Sequence, residues 1–298
     1  MQFLYRIVYF PPINVVLRTI NKWIKPILPA GFTLPPSGKI TFRLRDHKTL
    51  RLKTNPTNYL TQRLFWEGPE QFEYTTIFMS LIQKMDVFFD VGAHAGYYSL
   101  LAGLYNPDCK VISFEPASGP KHFFKENIAL NNTRNIHLET IALSHQEGEI
   151  TFYEIRNKKY RYLKYNLAGE GNTGSLTEGR NYHPIVVPTT TLDQYVAQHN
   201  VETIDLMKMD TEGTEYLILE HADKVLGEFQ PILIIETLFG VREAEMEKVL
   251  KKYGYDFYSH TPKGLVKTVT LVRTEPNGVD NCFMVHPSKV HLIQDYLA

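Results

Sequence analysis

Val87-Phe88-Phe89-Asp90-Val91-Gly92-Ala93-His94-Ala95-Gly96 is the stretch that decides the fold. An apolar run ends in a carboxylate and gives way to small residues and two glycines. The run reads as a buried parallel strand, and the small residues as a tight turn into a helix, where a ligand can approach the backbone closely. Val111-Ile112-Ser113-Phe114-Glu115-Pro116 is a second apolar strand ending in an acid, with Glu115 placed 19 positions beyond Gly96. A glycine turn followed at that distance by an acid marks a Rossmann-like nucleoside site, in which the acid grips ribose hydroxyls.

The spacing narrows the choice of ligand. A dinucleotide site uses Gly-x-Gly-x-x-Gly, because its second glycine lets a pyrophosphate reach the helix N-terminus. Here Gly92 and Gly96 stand four apart with His94 between them, and Asp90 sits where a pyrophosphate would have to go. A carboxylate there repels phosphate and suits a cation with an ammonium group. S-adenosylmethionine carries a sulfonium, an ammonium and a ribose, and no phosphate, so the pattern favours it over NAD. An ordinary strand-turn-helix with glycine at the turn is the structural alternative.

Around this core the chain alternates. Apolar strands are expected at 87–91, 110–115, 136–142, 204–210 and 231–236, with helices at 97–105, 121–131, 192–199, 215–225 and 242–253. A helix at 71–83 precedes them, and strands at 255–259, 265–272 and 282–286 follow, while 149–155 reads as a short added strand. Strands alternating with helices imply a Rossmann-like, doubly wound α/β fold. Its sheet is expected to be mostly parallel and seven-stranded, with an antiparallel last strand. Residues 39–54 alternate Ile40, Phe42, Leu44, a polar turn, then Leu50 and Leu52, which is a β-hairpin. The expected division is an extension over 1–60, made of an amphipathic helix and this hairpin, and a main domain over 61–298 whose motif core spans about 86–240.

A second constellation lies at Ile204-Asp205-Leu206-Met207-Lys208-Met209-Asp210-Thr211-Glu212-Gly213. An apolar strand rarely holds a lysine near its middle without a partner. Period-two alternation points Lys208, Asp210 and Glu212 the same way. The next strand, Pro231-Ile232-Leu233-Ile234-Ile235-Glu236, again ends in an acid. Asp90, Glu115, Asp210 and Glu236 thus stand at the carboxyl ends of four separate strands, where ligands bind in open α/β sheets. One such acid is commonly a helix N-cap; four together point to a site.

With these segments in view the chain resembles the FkbM-type methyltransferases, a class I S-adenosylmethionine-dependent group acting mainly on oxygen. The resemblance rests on residues 89–99, Phe114-Glu115-Pro116, Asn127-Ile128-Ala129-Leu130-Asn131, Thr190-Thr191-Leu192-Asp193, Lys208-Met209-Asp210-Thr211-Glu212-Gly213-Thr214-Glu215 and Ile234-Ile235-Glu236. It implies a methionine-binding turn at Asp90, Gly92 and Gly96, with His94 beside them in the cofactor site. Glu115 would lie on the ribose, Ala142 and Ser144 near the adenine, and Asp210 toward the methyl group and acceptor. The implied cofactor is S-adenosyl-L-methionine and the implied acceptor a sugar hydroxyl on a glycan or small natural product. The family usually carries Asn where this chain has His94. Asp210 or Glu236 is expected to take or orient the acceptor proton, with Lys208 holding the carboxylates charged. An NAD(P)-linked oxidoreductase and a non-catalytic, membrane-associated binding protein are the alternatives.

The bulk properties bound the rest. A chain of 298 residues, 43% hydrophobic and 21% charged, is large enough for one substantial core. Net charge is zero, so no nucleic-acid partner is indicated. Cys109 and Cys282 fit neither a disulfide nor a zinc pattern. The acid cluster could hold a divalent metal through oxygen ligands, but no His-rich or Cys-rich set accompanies it and no metal residue is assigned. Cytoplasmic localisation is expected. The charge is uneven, however. No acid precedes Asp46, while Arg6, Arg18, Lys22, Lys25, Lys39, Arg43 and Arg45 all do. Apolar residues from Phe3 to Ile27 recur at helical spacing, interrupted at Pro11-Pro12 and stopped near Pro26. This segment is too broken to span a bilayer. It could lie on an anionic membrane through residues 1–28, or pack on the domain or a neighbouring subunit. The loop over 156–184 interleaves cations with Tyr160, Tyr162 and Tyr165, a composition suited to sugars or anionic substrates.

Overall fold

The computed structural model describes residues 2–29, 31–155, 158–168 and 182–298. Helices α1 (Gln2–Val8) and α2 (Pro11–Ile24) precede a hairpin of β1 (Gly38–Arg43) and β2 (Thr49–Thr54), then α3 (Tyr59–Glu67) and α4 (Thr75–Leu81). The alternating core begins with β3 (Val87–Val91), α5 (Tyr97–Tyr105), β4 (Lys110–Phe114), α6 (Ser118–Asn131) and β5 (Ile136–Glu139). β6 (Ala142–Leu143), β7 (Gly148–Ile155) and β8 (Tyr182–Thr190) follow, then α7 (Leu192–Gln198), β9 (Leu206–Met209), α8 (Glu215–Leu219), β10 (Ile232–Glu236) and α9 (Glu243–Lys252). β11 (Asp256–Thr261), β12 (Gly264–Thr268) and β13 (Asn281–Val285) complete the sheet.

The main sheet has the order β12-β11-β13-β10-β9-β3-β4-β5. β3, β4, β5, β9 and β10 pair in parallel, and β13 is antiparallel to both β10 and β11. This is the expected Rossmann-like, doubly wound architecture with an antiparallel last strand. The sheet has eight strands rather than seven, because Gly264–Thr268 folds back on β11 as an edge hairpin. Each central strand buries both faces, which is why its sequence reads as a continuous apolar run. Phe88, Leu206 and Ile234 enter one buried cluster with α4 and α5; Phe89, Met207 and Ile235 enter the other, with α7, α8 and α9. Ile40, Leu50 and Leu52 of the hairpin belong to the first of these clusters.

Four departures from the sequence reading have local causes. α3 carries a weak apolar stripe, with Leu64 its one buried apolar side chain, and starts at an Asn58 cap that accepts from Thr61 N at 3.1 Å. β8 contains Pro184 and Pro188, which argue against a central strand. It pairs fully with β7, but β6 covers Thr189 and Thr190 alone, so the prolines sit where the other edge is open. The expected strand over 136–142 divides into β5 and β6, which join different sheets. The expected helix over 215–225 stops at Leu219, and a new helical turn starts where Asp193 accepts from Lys224 N and Val225 N.

The chain moves outward from β3 through β4 to β5, then returns to place β9 on the other side of β3. At such a switch point the strand ends diverge and leave a crevice at their carboxyl ends.

Candidate active site

The turn after β3 is built for close approach. Gly92 has φ 71, and a Cβ there would lie 1.9 Å from the Asp210 carbonyl oxygen, so only glycine lets the ends of β3 and β9 meet. Gly96, φ 84, opens α5 with its Cβ position 2.1 Å from the Phe124 ring. His94 also adopts a left-handed conformation, φ 52, which Asn and His tolerate better than most side chains. Its backbone N donates to Glu115 Oε2 at 2.8 Å, and its ring Nε2 lies 2.9 Å from the Leu167 carbonyl oxygen. A carbonyl can only accept, so Nε2 carries the proton. Burial lowers the imidazole pKa against the opposing pull of that bond, which favours the neutral ring. His94 thus fastens the 158–168 segment to the turn.

Glu115 follows β4 and is buried. Its two oxygens accept from His94 N at 2.8 Å and Ala117 N at 2.7 Å, which fixes the carboxyl plane. Burial pushes its pKa up to about 7 despite those two donors. Each oxygen retains a lone pair for a further donor.

Lys208, 5% exposed, points from β9 between the acids. Its ammonium donates to Gly92 O at 3.0 Å and Asp210 Oδ2 at 3.1 Å, and lies 3.7 Å from Asp90 Oδ1. Burial alone would depress the Lys208 pKa; Asp210 and Asp90 outweigh it and hold the ammonium charged. Asp90 sits opposite Lys208 in the parallel register and accepts from Ser99 Oγ at 2.5 Å. Asp90 is buried and faces Lys208, and it is not among the residues that line the cavity described below. Gly96 likewise shapes the turn from behind. Glu236 ends β10 with Oε2 buried and without a hydrogen-bond partner. Burial first, then the carboxylates of Asp210 and Glu212, raise its pKa to about 9, which favours its protonated form.

Gly92, His94, Glu115, Ala142, Ser144, Lys208, Asp210 and Glu236 line one cavity of about 1430 Å³. That exceeds the roughly 300–1,000 Å³ of a single small-ligand pocket and leaves room for two molecules side by side. Of its two outer walls, the one from β7 and β8 went unread in the sequence, and the other comes from the loop singled out there for its tyrosines and cations. Ile150 and Phe152 of β7 and Ile185 of β8 form one; Tyr160, Arg161 and Lys164 of the 158–168 segment form another. That segment is held by Asn55 Nδ2 on Tyr165 O at 3.0 Å and Leu167 N on Thr57 Oγ1 at 2.8 Å. Glu73 also lines the cavity, accepts from Tyr98 OH at 2.9 Å and is pushed by burial up to about 7. It precedes α4 at φ 43, outside any motif. Glu215 accepts from Thr211 N and Thr211 Oγ1, bracing the loop after Asp210. Arg156 and residues 169–181 of the tyrosine-rich loop lie outside the described residues. Among the described residues no group of three His, Cys, Asp or Glu side chains converges on a metal position.

A family model described as the methyltransferase FkbM domain matches residues 90–257, more than half of the chain. The chain belongs to this family. It is a methyltransferase by that membership, and the matched span runs from the acid of β3 into β11. It is 27% identical over 197 residues to methyltransferase sdnD of Sordaria araneosa, covering 56% of this chain and 72% of that protein. It is 23% identical over 147 residues to methyltransferase 1 of Beauveria bassiana, covering 45% of this chain and 57% of that one. Among solved structures it is similar to methyltransferase FkbM from Methylobacillus flagellatus KT, at 13% identity and a TM-score of 0.45, covering 68% of this chain and 44% of that one. The FkbM chain here thus spans less than half the length of that solved relative.

Proposed function

We propose that this FkbM-family chain transfers a methyl group from S-adenosylmethionine to a hydroxyl of a sugar, on a glycan or a small natural product. The observation that carries this reading is one cavity holding two unlike acids. At one end Glu115 is locked by two backbone donors with lone pairs left over, an arrangement suited to a ribose diol. At the other, Asp210 is ion-paired to Lys208 beside Glu236, whose protonated form is favoured. Glu115 N donates to Glu139 O at 3.0 Å, so Ala142 and Ser144, a few residues on, line the cavity on the Glu115 side and would flank the adenine. S-adenosylmethionine bound along this wall would supply an electrophilic methyl group.

The remaining work falls to the protein. Methyl transfer is an in-line displacement, so positioning the acceptor oxygen is the main contribution. Asp210 would take the acceptor hydroxyl's proton and pass it to water, while the bound donor would supply the methyl group and leave as S-adenosylhomocysteine. Lys208 aims Asp210 through its 3.1 Å hydrogen bond. Glu236, with an unpartnered oxygen on the wall, offers a hydrogen bond that orients the acceptor. Asp90 holds Lys208 from below. The wall of Ile150, Phe152 and Ile185 gives the acceptor an apolar face, and Arg161 and Lys164 give it a polar one.

The test is production of S-adenosylhomocysteine from S-adenosylmethionine across a panel of sugar and small-molecule hydroxyl acceptors. Acceptor-dependent product that vanishes when the reactive hydroxyl is replaced by hydrogen supports O-methylation. Methylation of an amine or carbon acceptor instead overturns it.

A further inference from the structure

Helix α2 is built inside out. Its buried residues are Asn14, Arg18 and Asn21. Asn14 Oδ1 accepts from Ser37 N at 2.8 Å while its amide donates to Pro35 O at 3.2 Å. Arg18 donates to Ser37 O at 3.2 Å and Lys39 O at 3.1 Å, and Asn21 Oδ1 accepts from Leu34 N at 2.8 Å. These polar side chains read the backbone of residues 34–39, which leads into β1, so this face is fixed inward by specific bonds. At 3.6 residues per turn, Ile13, Val16, Ile20 and Trp23 then fall on the opposite side, facing out. Trp23 is 83% exposed, Ile27 just beyond is 83%, and Phe3 in α1 is 72%. Of the twenty exposed large apolar residues among the described residues, twelve lie between Phe3 and Phe32. A soluble surface helix carries the reverse pattern.

The charge around this face selects its occupant. The first 45 residues contain seven basic residues and no acidic one. Of these, Arg6, Lys22, Lys25, Lys39, Arg43 and Arg45 are exposed. Apolar side chains ringed by cations, with no acid to repel phosphate, match the interface of an anionic bilayer. No helix among the described residues is long and apolar enough to cross a membrane, so contact would be from one side.

The helices also touch the cleft. Tyr5 and Tyr9 pack edge-on against Tyr160 with ring centres 5.7 and 5.4 Å apart, and Tyr162 OH donates to Tyr5 O at 3.1 Å. Tyr160 lines the cavity. We infer that α1 and α2 dock this protein on an anionic membrane surface through the outward apolar face, which sets the 158–168 wall of the cavity beside the lipid headgroups.

The experiment is vesicle flotation of the full chain with phosphatidylcholine vesicles, with and without a minority of phosphatidylglycerol. The expected result is flotation with the anionic vesicles, a blue shift of Trp23 fluorescence, and release by salt. Val16→Ser/Ile20→Ser/Trp23→Ser should lose flotation by more than tenfold while keeping the wild-type thermal transition. Lys22→Glu/Lys25→Glu should lose about tenfold on anionic vesicles alone. Absence of flotation in the wild type, or flotation of the triple-serine variant equal to wild type, overturns the proposal. So does a dimer by light scattering that the triple variant dissolves while vesicle binding is absent, which would make the face a contact between copies.

Discussion

The two ends of this chain's story break the same rule in opposite directions. At the tips of β3, β9 and β10, charges are buried among apolar strands: Lys208, Asp90 and the half-buried Asp210 meet within hydrogen-bond or ion-pair reach. In α2 apolar side chains are exposed, and Asn14, Arg18 and Asn21 are buried. The first violation is compensated inside the molecule, since Lys208 finds Gly92 O, Asp210 and Asp90. The second has its polar side compensated and its apolar side left over. A buried charge that is paired can do chemistry, whereas an apolar face that is unpaired needs something outside the fold. The contrast separates where this protein reacts from where it docks.

Substitutions can break that contrast on either side. The largest effect is expected for Asp210→Asn, which keeps shape and removes the base: turnover should fall about 10²–10⁴-fold with cofactor affinity within a few-fold of wild type. Steady-state kinetics beside calorimetry checks both, and undiminished turnover would take Asp210 out of the mechanism. Lys208→Met leaves Asp90 and Asp210 without their cation, and should cost about 3–5 kcal/mol by chemical denaturation. A loss near zero would mean that the pairing is not what makes the buried acids tolerable.

A smaller effect follows from pH. Burial raises Glu115 and Glu73 to about 7 and Glu236 to about 9, above their unfolded values, so the fold favours their protonated forms. Their contribution is fully present below the unfolded carboxyl pKa and is lost as pH rises through the folded values. The melting temperature should therefore decline between about pH 5 and about pH 9.5, and Glu236→Gln should flatten the upper part of that decline. A flat profile in the wild type would contradict the burial of these acids. The smallest effect belongs to the other region: Val16→Ser/Ile20→Ser/Trp23→Ser should shift stability by no more than about 0.5 kcal/mol per site, because those side chains already face solvent.

The parts legible in the sequence were those where local pattern and burial agree. β3 ends where its apolar run does and α5 starts after Gly96, and three of the four strand-end acids, Glu115, Asp210 and Glu236, line one cavity, while Asp90 faces Lys208. What stayed hidden depended on partners far along the chain. The prolines of β8 are tolerated because β6 stops short, which no local rule reveals. Glu73 enters the cavity through a left-handed backbone and a bond to Tyr98 from another helix. His94 looked like an oddity of the turn until Leu167, 73 residues away, proved to be its acceptor. The spacing of α2 identified an amphipathic helix, but not which face turns inward. That is decided by backbone groups at Leu34, Pro35, Ser37 and Lys39 waiting for polar partners.

Titration of the protein with S-adenosylhomocysteine by isothermal calorimetry, with NAD as the control and Glu115→Gln as the paired variant, probes the nucleoside end of the cavity. One site per chain for S-adenosylhomocysteine is expected, with no heat from NAD and affinity weakened roughly tenfold or more in Glu115→Gln, the loss of a charge-assisted hydrogen bond. Heat with NAD and none with S-adenosylhomocysteine, or equal affinity in the variant, would contradict this expectation.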